Sequence, residues 1–471
     1  MGRKKKLPVL ESVTIVDIGS EGNAIARVDN MVVFVPMLVP GDIADIRLLR
    51  KRKNYAEGIP ERIIKYSDLR IKPACRHFGT CGGCKWQHLP YIEQLSFKEK
   101  QVRDNLERIG KTEIPSVSPI MGSPEQFGYR NKLEYTFSNR RWLTREEIGS
   151  GDSIEDANAL GFHIPGLFDK VLNIEECLLQ PEPTNRIRNA VRQFVDKEGF
   201  AYYDFREQKG FMRNLIVRNT TSGELMVIVV FGYEDKEART RLLDFIRDSF
   251  PAITSLMYVI NTKRNDTIND LDVLLHSGID HMTGRMEDLR FRIDPKSFYQ
   301  TNSNQALELY RVVRDYAGLS GSEVVYDLYS GTGTIALFVA RLASRVIGLE
   351  FVPEAVEDAR HNADMNGIGN ALFFAGDIRL LLGKEFTGLH GSPDVIITDP
   401  PRAGMHEDVV KAIIEAGPAK IVYVSCNPAT QARDISLLAD SYKVTKVQPV
   451  DMFPHTHHVE NIVLLVRRGV I

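Results

Sequence analysis

The sequence predicts an α/β protein with a doubly wound parallel sheet in its C-terminal part, preceded by an N-terminal β-barrel and a mixed α/β middle region. Three observations carry this. Four apolar runs near the C-terminus, Glu323–Leu328, Arg345–Glu350, Asp394–Asp399 and Ile421–Cys426, alternate with amphipathic stretches, and each ends at or beside a polar residue. Residues 7–66 instead alternate apolar and polar positions in short runs broken by Gly19, Gly22, Asp29-Asn30 and Pro40-Gly41. The five cysteines fall into two groups: Cys75, Cys81, Cys84 and Cys177 belong to the middle region, while Cys426 stands alone at a strand end.

A chain of 471 residues, 43% of them hydrophobic, is long enough for roughly three domains, placed at 1–66, 67–289 and 290–471. No run approaches the roughly 20 apolar residues of a membrane span, and Met1 to Pro8 lacks the apolar stretch of a secretory signal. A cytoplasmic protein with no membrane partner is therefore expected. Thiols stay reduced there, so clustered cysteines read as metal ligands or redox groups rather than disulfides. The net charge of −2 excludes a surface uniformly coated in positive charge, so nucleic-acid contact must come from local patches. Two are visible: the tail Arg3–Lys6, and the cluster Arg47, Arg50, Lys51, Arg52 and Lys53.

In chain order, strands are predicted at Val13–Ile18, Ala24–Val28, Met31–Val35 and Asp42–Arg47. A five-stranded barrel of this size is a common scaffold for single-stranded nucleic acid, and the basic cluster lies on or just after its fourth strand. The cysteine stretch leads into a helix over Tyr91–Ile109. The middle region then carries strands at Leu215–Arg218 and Leu225–Phe231, and helices at Pro183–Glu198 and Asp235–Asp248.

The segment Asp327 to Thr334 joins the first C-terminal strand to a helix beginning near Thr334, and its two glycines permit a tight turn close to a ligand. Glu350 ends the next strand, where a carboxylate accepts both hydroxyls of a ribose. Asp377 follows a third apolar run, Leu372–Phe374, within reach of an adenine amino group. These residues fit an adenosine-bearing cofactor. They do not by themselves decide between a dinucleotide and S-adenosylmethionine; the absence of a third glycine favours the latter, although some dinucleotide sites allow an alanine such as Ala336 there.

Asp399-Pro-Pro-Arg402 ends one strand and Ser425-Cys-Asn-Pro428 the following one, so Asp399 and Cys426 are expected side by side, stiffened by the prolines. A thiol beside a methyl-donor pocket suggests methylation of a pyrimidine at carbon 5: thiolate addition to carbon 6 makes carbon 5 nucleophilic. A base must then remove the carbon 5 proton. Glu460, in a loop between two late strands, is the candidate; His455, His457 and His458 nearby show no metal-ligand spacing. The C-x5-C-x2-C run with distant Cys177 is compatible with an iron–sulfur cluster, a four-cysteine zinc site or a redox pair.

Taken together these motifs resemble, over nearly the whole chain, the RNA uracil-5-methyltransferases, in particular the branch acting on 23S ribosomal RNA. The resemblance implies a class I S-adenosylmethionine-dependent methyltransferase (Rossmann-like) domain, an OB-like TRAM barrel and a [4Fe-4S] cluster on Cys75, Cys81, Cys84 and Cys177. It also implies Cys426 as nucleophile and Glu460 as proton acceptor. Cofactor contacts fall on Gln300, Tyr329, Thr334, Glu350, Asp377 and Asp399. Tyr329 replaces a Phe of some members, Thr334 and Asp377 stand where others have Asn, and Ser330 replaces a frequent Cys. The expected partner is RNA, with the target uridine flipped or single-stranded, and the protein a monomer.

The same chemistry on transfer RNA, an RNA amino-methyltransferase and a non-catalytic RNA-binding protein are the competing functions. Cys426 and Glu460 separate the last two from the first, because amino-methylation needs neither. An amino-methyltransferase also usually carries an aromatic where this chain has Arg402.

Overall fold

The computed structural model describes residues 7–469 apart from 20, 112, 144 and 151–156. The basic tail Arg3–Lys6 therefore lies outside the described residues. Strands β1 (Val9–Ile18), β2 (Ala24–Val28), β3 (Met31–Val35), β4 (Ile43–Lys51) and β5 (Tyr55–Lys65) form a closed barrel in the order β1-β2-β3-β5-β4. Its narrow interior is filled by Ile15, Ile46 and Leu48 beside the small Ala24, Ala26, Ala44 and Ala56. Alternation along β4 buries Ala44, Ile46 and Leu48 and turns Arg47, Arg50 and Lys51 outward. β4 runs past the expected Arg47 to Lys51 because outward-facing charges do not interrupt its ladder with β5.

Helix α1 (Tyr91–Arg108) buries one stripe at every fourth residue, Gln94, Lys98, Val102 and Leu106. Next come β6 (Lys132–Ser138), α2 (Arg145–Ser150), β7 (Ala159–His163), β8 (Val171–Asn173), α3 (Thr184–Glu198) and β9 (Met212–Asn219). They are followed by β10 (Leu225–Phe231), α4 (Lys236–Ser249), β11 (Ser255–Ile260) and β12 (Leu274–Gly278). The strands make one sheet in the order β12-β11-β10-β9-β6-β7-β8. Only β10 and β11 are parallel, as the intervening α4 crossover requires. Asp235 caps α4, accepting from the Ala238 amide at 3.0 Å.

A hairpin, β13 (Met282–Met286) and β14 (Leu289–Ile293), follows. Position 290 lies inside it, paired with Arg285, so the expected division at 289/290 cuts a hairpin rather than a linker. The physical reason is its apolar side: Met282, Met286 and Phe291 join the same core as the C-terminal layers.

Those layers are α5 (Ser303–Ala317), β15 (Val324–Leu328), α6 (Thr334–Ala340), β16 (Arg345–Glu350), α7 (Pro353–Met365), β17 (Ala371–Ala375), α8 (Ile378–Leu381) and α9 (Lys384–His390). β18 (Val395–Thr398), α10 (Glu407–Ala416), β19 (Lys420–Ser425), α11 (Pro428–Leu438), β20 (Tyr442–Val450) and β21 (Glu460–Arg467) complete them. The sheet order is β17-β16-β15-β18-β19-β21-β20. The five strands from β17 to β19 are parallel, and β15, β18 and β19 are buried almost end to end, as sheets covered on both faces are. The doubly wound sheet departs from parallel pairing at one edge. β21 runs antiparallel to both β19 and β20, which brings its first residue to the rim where the parallel strands end. No helix among the described residues is long and apolar enough to cross a membrane.

Candidate active site and thiol cavity

At the carboxyl end of β15 the chain turns through Tyr329, Gly331 and Gly333, with φ of 62°, 52° and 80°, before α6 begins at Thr334. Left-handed φ at a tyrosine is uncommon and marks a turn held by its surroundings. Gly333 is required: a Cβ there would lie 2.9 Å from the Phe373 ring and 3.0 Å from Ala359. Asp327, inside β15, accepts the Ala336 amide at 2.9 Å and so holds the first turn of α6. Glu350 binds the turn from the neighbouring strand, accepting from Gly331 at 3.0 Å, Phe351 at 2.8 Å and Val352 at 2.9 Å. Thr334 places its hydroxyl 3.2 Å from that of Tyr310.

Three carboxyls crowd this rim. Burial pushes Asp399 up to about 7. Burial and the neighbouring Asp399 and Glu350 raise Asp327 well above the ordinary range. A water-poor site lined with carboxyls disfavours anions and favours a cationic ligand. A pyrophosphate fits it poorly and a sulfonium well. Tyr329 lines the same place, its hydroxyl pushed up to about 12 by burial and by Asp434, Asp377 and Glu350. Asp377 itself caps α8 and grips the Arg379 guanidinium, which holds its carboxyl down to about 2. Both of its oxygens are engaged there, so an adenine would have to share them.

Gln300 lies on a segment gripped by the middle sheet. Asn131 donates to the Gln300 carbonyl and the Ser303 hydroxyl, both at 2.8 Å. The buried Arg218 donates to the carbonyls of Asp294, Pro295 and Ser297 at 2.9–3.1 Å. Beside Gln300, Phe298 is left 73% exposed.

Cys426 follows β19 directly, and Ser425 pairs with Asn461 of β21. Continued by one residue, that antiparallel register sets Cys426 opposite Glu460. Glu460 is the first residue of β21 rather than a loop residue, and it is buried. Burial and the charge of Asp399 push its carboxyl up to about 8 against the favourable Arg402. Burial, then Glu460 and Asp399, push the Cys426 thiol up to about 11, again opposed by Arg402. The two strand-end turns are stitched together, since Asn427 and Thr430 donate to the Arg402 carbonyl at 3.1 and 3.2 Å. Pro428 opens α11, and Asn427 caps it. His455, His457 and His458 are lowered to about 4, 3 and 4, chiefly by burial, and so are neutral at physiological pH.

Cys75, Cys81, Cys84 and Cys177 line one cavity of about 660 Å³, which extends towards Phe298 and the basic Arg130 and Lys296. All four thiols are free. Burial and the neighbouring cysteines push Cys84 up to about 12 and Cys177 to about 11. Among the described residues no group of three or more His, Cys, Asp or Glu surrounds a single ion position.

Asp327 and Arg402 stand within the sequence motifs, but their spacing alone implies no role for either. Gln94 and Lys98 carry a signal in their i, i+4 spacing with the apolar Val102 and Leu106, and the structure buries all four on one stripe of α1.

A family model described as tRNA (Uracil-5-)-methyltransferase matches residues 220–468, and a TRAM domain model matches residues 11–60. A protein of Bacteroides thetaiotaomicron named an uncharacterized RNA methyltransferase is 59% identical over 451 residues, 95% of this chain and 99% of its own. One of the same name from Porphyromonas gingivalis is 56% identical over 460 residues, 96% of this chain and 99% of its own. Among solved structures, the Pyrococcus abyssi tRNA (uracil-54, C5)-methyltransferase in complex with S-adenosyl-L-homocysteine is similar, with a TM-score of 0.74 at 28% identity. That likeness covers 96% of this chain and 99% of that one.

Proposed function

This chain belongs to the tRNA (uracil-5-)-methyltransferase family, and on that premise we propose that it methylates carbon 5 of a uridine in 23S ribosomal RNA through a covalent adduct on Cys426. It is an S-adenosylmethionine-dependent RNA methyltransferase with a TRAM domain. The observation that supports the chemistry is the β19–β21 register, whose last pair, Ser425 and Asn461, adjoins the thiol of Cys426 and the buried carboxyl of Glu460.

The Cys426 thiolate adds to uracil carbon 6, forming an S–C bond and moving the ring π electrons towards oxygen 4 as an enolate. When bound, S-adenosylmethionine supplies an electrophilic methyl group to carbon 5. Glu460 then takes the carbon 5 proton, and the C–H electrons re-form the ring double bond and expel the thiolate. The Arg402 guanidinium favours the ionised form of both groups and offsets part of what burial costs them. Gln300, Tyr329, Thr334, Glu350, Asp377 and Asp399 are the proposed cofactor contacts, and the carboxyl-rich rim suits its positive charge. Cys75, Cys81, Cys84 and Cys177 would hold a [4Fe-4S] cluster that ties the cysteine segment to the middle sheet, a structural role supported by their common cavity.

The assignment to ribosomal RNA rests on the TRAM barrel accompanied by the four cysteines. A second reading, a transfer RNA uridine, is favoured by the full-length likeness to a tRNA (uracil-54, C5)-methyltransferase. Mapping 5-methyluridine in ribosomal and transfer RNA from cells with and without the protein decides between them. Loss confined to ribosomal RNA supports the first reading, loss confined to transfer RNA the second, and unchanged 5-methyluridine in both overturns the function.

A further inference from the structure

The loop between β20 and β21, residues 451–459, leads into Glu460 and is gripped from outside its own sheet. Lys98 places its Nζ 2.6 Å from Asp451 Oδ1 and 3.0 Å from the Phe453 carbonyl. The Tyr91 hydroxyl donates to Asp451 Oδ2 at 2.8 Å, and the Tyr129 hydroxyl to the Pro454 carbonyl at 3.1 Å. Gln94, fully buried, accepts from the His455 amide at 2.9 Å. Its Nε2 lies 3.2 Å from His455 Nδ1 and donates to the carbonyls of Leu89 and Trp86 at 2.9 and 3.0 Å. The His455 carbonyl in turn accepts the amides of Lys85 and Trp86, directly after Cys84, at 2.8 and 3.1 Å. Gly22 of the barrel packs so closely that a Cβ there would come within 2.8 Å of the His457 side chain.

His455 has a left-handed φ of 65°, a conformation that persists only where surroundings over-determine it. Those surroundings are α1 and the cysteine segment. Glu460, by contrast, has no side-chain hydrogen bond among the described residues, so its carboxyl is placed by its backbone. A buried hydrogen-bonding hub and a buried ion pair, neither of which lies among the proposed catalytic and cofactor groups, thus converge on the nine residues before the base.

We propose that Gln94 and the Lys98–Asp451 pair are positioning residues for Glu460. They hold the loop so that the carboxyl stands at carbon 5 of a uridine attached to Cys426, and they set the rate of proton removal without touching RNA. This rests on the reading of Cys426 as nucleophile and Glu460 as base. It makes α1 and the cysteine segment the back wall of the active site.

The test separates formation of the adduct from its resolution. Full-length protein is mixed with S-adenosylmethionine and ribosomal plus transfer RNA from cells lacking the protein, and the denaturant-resistant protein–RNA complex is followed over time. Wild type resolves its adduct quickly. Gln94→Met should form the adduct at nearly the wild-type rate but resolve it at least roughly tenfold more slowly, so that the complex accumulates on ordinary RNA. Tyr129→Phe, which removes one hydrogen bond to the loop, should shift resolution the same way by less, and it carries the test if Gln94→Met does not fold. Glu460→Gln is the reference. If Glu460→Gln accumulates adduct while the folded variants slow both steps equally, or neither, the positioning role is wrong and the function stands. If Glu460→Gln resolves its adduct at the wild-type rate, Glu460 is not the base and both fall.

Discussion

Cys426 and Glu460 adjoin Ser425 and Asn461, the pair that ends the antiparallel β19–β21 ladder, although the strands that deliver the cofactor turn and the Asp399 loop are parallel. Glu460 raises the cost of ionising the Cys426 thiol, while burial and Asp399 raise that of ionising Glu460 itself. With the carboxyl held near 8, Glu460 is largely protonated at neutral pH. Adduct resolution should therefore fall about tenfold per pH unit below about 8 and level off above it, a profile readable from single-turnover decay.

The same shift has a stability consequence of definite sign. A carboxyl raised from an unfolded value of 4.5 to about 8 stabilises the folded state below 4.5, and that contribution is lost as pH rises through 8. Glu460→Gln should therefore make the protein more stable than wild type above pH 8 in denaturant titrations, with little difference at pH 4.5, while blocking adduct resolution. Equal pH dependence in the two proteins would contradict a buried, proton-holding Glu460.

RNA carrying 5-fluorouridine at the target has no abstractable carbon 5 proton, so wild type should be trapped as a stable covalent complex. Cys426→Ala should form none. A complex that persists in Cys426→Ala would place the nucleophile elsewhere.

Lys98 and Asp451 are wholly buried partners. Replacing Lys98 by Met leaves a buried carboxylate without its cation, and should cost about 3–5 kcal/mol in urea unfolding. Lys98→Met combined with Asp451→Asn should recover part of that loss, because the uncompensated charge is gone. Recovery of nothing would mean that the pair acts through packing alone.

Glu350 organises the glycine turn through three backbone amides. Glu350→Ala should weaken S-adenosylhomocysteine binding by at least about tenfold in calorimetry, since it removes charge-assisted bonds and loosens the turn together. For the thiol cavity, anaerobically purified protein should contain iron and sulfide, and Cys84→Ser should lose both. Stoichiometric zinc in the wild type would replace the cluster assignment.

Strand positions in the C-terminal sheet were legible because fully buried parallel strands are continuous apolar runs, as in Arg345–Glu350, which is β16 residue for residue. The barrel was legible through its alternation. The hairpin β13–β14 was missed as a unit because each strand is only five residues long, too short for periodicity to separate from its flanks. Asp377 is expected to accept from an adenine amino group, and its pairing with Arg379, two residues on, depends on side-chain geometry that spacing does not reveal.

The sequence by itself determined the chemistry available: a lone thiol at a strand end, a carboxylate after the second strand, four clustered cysteines, and the motifs that join them to a family. Those are local properties of residue type and spacing. Tertiary structure alone decided that β21 reverses direction beside β19, which turns Glu460 from a loop residue into the neighbour of Cys426. It also decided that Gln94 and Lys98, separated from that loop by more than 350 residues, are the groups that hold it. Contacts between distant segments depend on how buried polar groups find partners as layers close, and a linear pattern records the polar residue but not its partner.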